Sequence, residues 1–247
     1  MIKSFVLMIQ FLTRIPIPVK IEMNKKTVSK GLLFFPLIGM MVGGISWLFY
    51  YSLSFVDNGL AAFGAVLGAI TATGGLHLDG LADTCDGLFS ARSGERILEI
   101  MKDSRTGTFG VIAIVLDLLA RYIIIKALNP ESVLIALVII SGASRLIASM
   151  LVTFGRSIRF GGLGSLFSSS ASRLYFWISA VVFTFIGILS GEFPFICSLL
   201  IMLLFAFGLM RCSYKKIGGL TGDVYGAGIE MTEILGLITF LVVKKWS

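Results

Sequence analysis

Long apolar runs separated by short polar stretches dominate the chain. A helix needs about 20 apolar residues to cross a bilayer. Runs of that kind fall at 31–54, 59–77, 108–128, 132–153, 174–191 and 193–211, and a shorter one at 229–243. A brief apolar stretch at 5–12 predicts an interfacial helix over the first fifteen residues, stopped by Pro16 and Pro18. It is short and lacks a small-residue cleavage site, so it does not read as a signal peptide. The pattern predicts an all-α fold: one domain over 1–247, a polytopic integral membrane helical bundle of six or seven transmembrane helices.

Composition agrees. Hydrophobic residues make up 56% and charged residues 14% of the 247 positions, and mean hydropathy is +0.94. A soluble domain carries about 25% charge, so much of this surface must face lipid. Glycine is abundant, with 28 residues, as suits helices packed closely in a membrane. Cys85, Cys197 and Cys212 show neither disulfide pairing nor metal-ligand spacing.

Basic residues sort the loops. Lys3, Arg14, Lys20, Lys25, Lys26 and Lys30 precede the first run. Arg92, Arg96, Lys102 and Arg105 fall in 78–107, Arg156, Arg159 and Arg173 in 154–173, and Arg211, Lys215 and Lys216 in 211–228. The turns near Asp57, Glu131 and Glu192 contain at most Lys126. The positive-inside rule therefore puts the N-terminus and the first group on the cytoplasmic side of the membrane. The net charge of +7 reflects this topology, and no nucleic-acid partner is expected. One feature resists: if 229–243 spans, Lys244 and Lys245 end outside, unless that helix is re-entrant or interfacial.

The polar residues that remain carry the chemistry. His77-Leu78-Asp79-Gly80-Leu81-Ala82-Asp83-Thr84-Cys85-Asp86-Gly87 sits at the cytoplasmic end of the 59–77 run. At 100° per residue, Asp83 lies about 40° from Asp79 and Asp86 about 20° to its other side. Three carboxylates on one face repel one another, and each costs about 2.5–3.5 kcal/mol near a bilayer centre. A cation removes both penalties, and hard oxygen ligands suit Mg²⁺ or Mn²⁺. Asp103 is the expected fourth carboxylate, and Arg92, Lys102 and Arg105 are candidate phosphate contacts. For those three bases, simple membrane anchoring is an equal reading. His77 falls roughly 200° from Asp79. A ligand role for it needs a helix break, for which Gly74-Gly75 is available, and a structural role stands beside that reading.

A second polar island, 218–228, is glycine-dense and holds Thr221 and Asp223. It reads as an anion-binding loop or as small-residue helix packing. Within the apolar runs, Asp117 and Arg121 are spaced to pair. Arg145 needs a partner on another helix, with Asp117 and a substrate phosphate as the options. Metal-bound carboxylates without a Ser/His pair or a Walker loop favour phosphoryl-type transfer.

These motifs resemble the cobalamin synthase family, the adenosylcobinamide-GDP ribazoletransferases, along essentially the whole chain. Phe11-Leu12-Thr13-Arg14-Ile15-Pro16-Ile17-Pro18 and Phe35-Pro36-Leu37-Ile38-Gly39 are similar to its N-terminal signature, and 75–87 to its central one. Met101-Lys102-Asp103-Ser104-Arg105, Ser144-Arg145, Gly162-Leu163-Gly164 and Gly219-Leu220-Thr221-Gly222-Asp223 complete the set. The resemblance implies that α-ribazole, or its 5′-phosphate, displaces GMP from adenosylcobinamide-GDP with Mg²⁺, giving adenosylcobalamin or its phosphate. Asp79, Asp83, Asp86 and Asp103 would hold the metal, with one of Asp83, Asp86 and Asp103 taking the hydroxyl proton. Arg92, Lys102, Arg105, Arg145, Thr221 and Asp223 would contact the substrates. The nearest rival is a CDP-alcohol phosphotransferase. Asp83, Asp86, Gly87, Ala91 and Arg92 mimic the first half of its motif, but Gly107 stands where the second half needs an aspartate. A prenyltransferase would have only Asp223 for its second acidic motif, and a transporter would show internal repeats that this sequence lacks.

Overall fold

The structure is a computed structural model that describes residues 1–158 and 163–246. Arg159 and Gly162, both singled out above, lie outside the described residues. The described residues form twelve α-helices and one 3₁₀ turn, with no β-strand. Five helices are long and apolar enough to cross a membrane, or seven spans if each of two bent pairs counts as one.

Helix α1 (Ile2–Leu12) buries Leu7, Met8, Ile9 and Leu12. It ends at Leu12, short of the fifteen residues expected, with Thr13 already extended. The Gln10 amide then donates to the carbonyls of Ile17 (2.9 Å) and Val19 (2.7 Å), folding the Pro16–Pro18 segment back on the helix. An Asn24–Thr27 capping box starts α2 (Lys25–Gly31), which runs through a 3₁₀ turn into α3 (Phe35–Leu53). Helix α3 lies against α8 (Pro130–Phe154), where Gly39 and Gly43 meet the carbonyls of Ser141 and Leu137 so closely that any side chain would collide.

Helix α4 (Asn58–Thr73) starts at Asp57, whose carboxylate accepts the N–H of Gly59 at 2.7 Å and of Leu60 at 3.1 Å. The 59–77 run does not form one straight span. Gly74 (φ +64°) and Gly75 (φ +71°) both adopt left-handed backbone, which glycine enters without steric cost. The chain turns 90° there into α5 (Leu76–Phe89). The acidic segment thus occupies its own helix, steeply inclined to the one before it.

The rest follows as α6 (Gly94–Ile100), α7 (Thr108–Ala127), α8, α9 (Leu163–Ser170), α10 (Arg173–Leu189), α11 (Phe193–Ile217) and α12 (Gly222–Trp246). Exposed Leu116, Val181 and Leu204 on α7, α10 and α11 form part of an apolar outer surface suited to lipid.

Two expectations change at the C-terminus. The 229–243 run is the inner part of a 25-residue helix that begins at Gly222. That helix ends beside the α10–α11 turn, where the Lys244 ammonium donates to both Glu192 carboxylate oxygens (2.8 and 3.0 Å). Lys244 therefore reaches the Glu192 side and finds a counter-charge there. Of the expected 218–228 loop, only the first residues are loop. Gly226 instead packs α12 against α5, its Cα side facing the backbone of His77 and Gly80.

Candidate functional site

The site forms where α5 crosses the start of α12. A side chain on Gly80 would stand 2.8 Å from the Asp223 carbonyl, and one on Gly226 3.3 Å from the His77 carbonyl. Glycine at both positions lets the two backbones approach and brings the acidic face of α5 beside the first turn of α12. Thr221 precedes that turn; its hydroxyl lies 3.4 Å from the Val224 N–H and donates to the Asp223 carboxylate at 3.2 Å.

A cavity of about 310 Å³ opens at this crossing, bounded also by α1, the start of α3, α8 and α9. Asp79 and Asp223 both line it. Much of the wall is apolar, from Phe11, Phe35, Val152 and Phe167. Phe11 stacks on Phe167 with ring centroids 4.5 Å apart. The lining also holds buried His77, whose ring nitrogens make no hydrogen bond to the described residues, and Tyr225, whose hydroxyl lies beside those of Ser157 and Ser168.

Helix α5 runs unbroken through Asp79, Asp83 and Asp86, but the three carboxylates meet different surroundings. Asp79 is exposed at the cavity, and Asp83 is half-buried one turn further on. Asp86 is buried and faces α7, where its carboxylate accepts the N–H groups of Gly107 (2.6 Å) and Gly110 (2.8 Å). A carboxylate is favoured at a helix N-terminus, whose first N–H groups lack intrahelical partners.

Asp103 lies away from the cavity lining, with its carboxylate on the Arg105 guanidinium (2.7 and 3.0 Å) and backbone N–H (3.1 Å). Those bonds hold its pKa down at about 2. Arg92 and Lys102 are exposed and also outside the lining. Lys216 of α11 donates to the Leu88 carbonyl and ties down the end of α5.

A second polar cluster sits deeper, among α5, α7, α8 and α12. Arg121 binds Asp117 (2.8 Å), Glu233 (2.8 Å) and Glu230. Arg145 pairs with Glu233, which also accepts the hydroxyls of Ser141 and Ser144 at 2.9 Å each. The Asp117–Arg121 pair is as the spacing implied. The partner of Arg145 is Glu233, rather than Asp117 or a substrate phosphate. Glu230 and Glu233 escaped the sequence reading; two acids three apart in an apolar run were the available signal. The Gly74-Gly75 break precedes both His77 and Asp79, so it leaves their relative angle unchanged. His77 is buried between cavity and cluster, its Nδ1 3.8 Å from Glu230.

Among the described residues no group of three or more His, Cys, Asp or Glu side chains is poised around one metal position. Mg²⁺ does not require such a cage, since it binds through one or two carboxylates plus waters and substrate phosphates. Asp79 and Asp223 on one cavity, with Asp83 a turn away, supply oxygen donors of that kind.

A bundle of apolar helices long enough to cross a bilayer, with a cavity whose lining includes carboxylates, is a helical membrane protein. Its family follows from sequence: the profile of the cobalamin-5-phosphate synthase family matches residues 4–241, and the chain belongs to that family. It is 38% identical to the adenosylcobinamide-GDP ribazoletransferase of Clostridium novyi (strain NT) over 244 residues, 98% of each chain. The enzymes of that name from Treponema denticola and Escherichia coli (strain K12 / DH10B) are 39% and 37% identical, covering 96% and 98% of this chain and 96% and 100% of their own. No solved structure matches.

Proposed function

We propose that this protein is an adenosylcobinamide-GDP ribazoletransferase working at the α5–α12 crossing, on the cytoplasmic face of a prokaryotic inner membrane. The hydroxyl of α-ribazole, or of its 5′-phosphate, attacks the phosphorus joined to the cobinamide. A new O–P bond forms, the bridging P–O bond breaks, and GMP leaves. The product is adenosylcobalamin or its phosphate.

The observation that carries this reading is the shared cavity of Asp79 and Asp223. Family membership supplies the chemistry, and the cavity supplies carboxylates at a place open to a diphosphate. Asp79, Asp83 and Asp223 would hold Mg²⁺, which when bound neutralises diphosphate charge and eases departure of GMP. One carboxylate of the acidic face takes the proton of the attacking hydroxyl. Asp86 serves by fixing α5 to α7 through Gly107 and Gly110. Arg92, Lys102, Arg105 and Asp103, all outside the cavity lining, would meet a large corrinoid diphosphate where it extends beyond the cavity. The basic loops that favour the cytoplasmic side flank this region.

The test uses purified protein in liposomes with adenosylcobinamide-GDP, α-ribazole and Mg²⁺. GMP release matched by corrinoid product is expected. Background GMP together with turnover of CDP-diacylglycerol would replace this reading with the phospholipid one.

A further inference from the structure

We infer that the 310 Å³ cavity is the seat of the smaller substrate, the aromatic nucleoside α-ribazole, and that the corrinoid diphosphate lies outside it. The inference rests on the proposed activity for the identity of the two substrates, and on the cavity itself for which one enters.

Size decides first. The volume is at the lower end of the roughly 300–1,000 Å³ of small-molecule sites. A corrin macrocycle carrying a nucleotide exceeds it, whereas a single nucleoside does not.

The lining decides next. α-Ribazole is a flat dimethylbenzimidazole joined to a ribose, apolar at one end and hydroxylated at the other. The cavity has the same polarity. The stacked Phe11–Phe167 pair, with Phe35 6.0 Å from Phe167, forms an aromatic wall. Asp79 and Asp223 supply acceptors for sugar hydroxyls.

The buried polar atoms point the same way. Tyr225 is 7% and His77 4% exposed. The Tyr225 hydroxyl sits beside those of Ser157 and Ser168 on the cavity wall, and both His77 ring nitrogens make no hydrogen bond to the described residues. Buried polar groups are rarely left so, because each costs about 1–3 kcal/mol unpaired. A ligand with a ring nitrogen acceptor and several hydroxyls offers them partners. With the base held inside, the reactive hydroxyl emerges beside the carboxylates, where the diphosphate arrives.

Two variants test this. Ala148→Leu places a larger side chain on the cavity wall, and Tyr225→Phe removes one hydroxyl while keeping the ring. Binding of α-ribazole alone to detergent-solubilised protein is read by equilibrium dialysis, and KM for each substrate by GMP release. Ala148→Leu is expected to weaken α-ribazole binding at least tenfold, and Tyr225→Phe about three- to tenfold. KM for adenosylcobinamide-GDP should stay within about twofold in both. Unchanged α-ribazole binding in both variants, or a rise confined to the KM for adenosylcobinamide-GDP, overturns the inference. Its failure is distinguishable from that of the proposed activity. Absence of GMP release by the unmodified protein removes the activity, while dialysis still reports whether the cavity takes the nucleoside.

Discussion

The carboxylate of Asp86 accepts the backbone N–H of Gly110 at 2.8 Å, binding the acidic helix to the start of α7. Gly107 donates to the same carboxylate at 2.6 Å. A side chain on Gly107 would come within 2.5 Å of the Asp86 carboxylate, and one on Gly110 would collide with it. Asp86→Ala should therefore lower stability by about 1.5–3 kcal/mol, the usual worth of bonds to a charged group. Gly110→Ala should cut GMP release at least tenfold by displacing α5. Thermal unfolding in detergent and initial rates check the two.

The buried ion cluster makes a different prediction. Glu233→Leu alone leaves Arg145 buried without its partner, at a cost of roughly 3–5 kcal/mol, whereas Arg145→Met leaves Glu233 on Arg121 and should cost less. Replacing both should cost less than the sum, because Arg121 keeps Asp117 and Glu230. A double-mutant cycle on unfolding midpoints measures this coupling. Strict additivity would show that Arg145 and Glu233 do not interact.

Asp103 sets a pH expectation. Its pKa is lowered from 3.8 to about 2 by its bonds to Arg105. A depressed carboxylate pKa means the pair is fully formed above about pH 4 and lost as pH falls through about 2. Asp103 therefore stays ionised from pH 5 to 9 and adds no limb to the rate profile there. Carboxyl-carbon NMR of the protein, with Asp103→Asn for assignment, reads the titration directly. A midpoint above 4 contradicts the pairing.

Metal removal supplies a fourth expectation. Chelation with EDTA should abolish GMP release, and Mg²⁺ should restore it. Asp79→Asn should raise the Mg²⁺ concentration needed for half-maximal rate about tenfold, by loss of one charged ligand. Equal Mg²⁺ requirements would take Asp79 out of the metal's surroundings.

How much of this could be read from sequence depended on range. The apolar runs gave the spans, and i,i+4 spacing gave the Asp117–Arg121 pair, because both are local. Gly74-Gly75 offered a break, but its 90° angle depends on what α4 and α5 pack against. The role of Asp86 was hidden, since angular spacing on α5 reports its face but not which helix end lies opposite. Glu230 and Glu233 were passed over for the same reason: their partners, Arg121 and Arg145, sit about ninety to a hundred and ten positions earlier. The 229–243 run looked short because 218–228 reads as a separate glycine-dense island, although α12 begins at Gly222. The cavity was invisible, because six separate helices compose it.

The measurement that bears most directly on the account is the turnover of Asp83→Asn in liposomes, with adenosylcobinamide-GDP, α-ribazole and Mg²⁺ supplied together. The substitution keeps the size of the side chain and removes its charge from the acidic face of α5. The account predicts that the variant inserts and unfolds like the unmodified protein while GMP release falls to background. Full GMP release by a correctly inserted Asp83→Asn protein would contradict it.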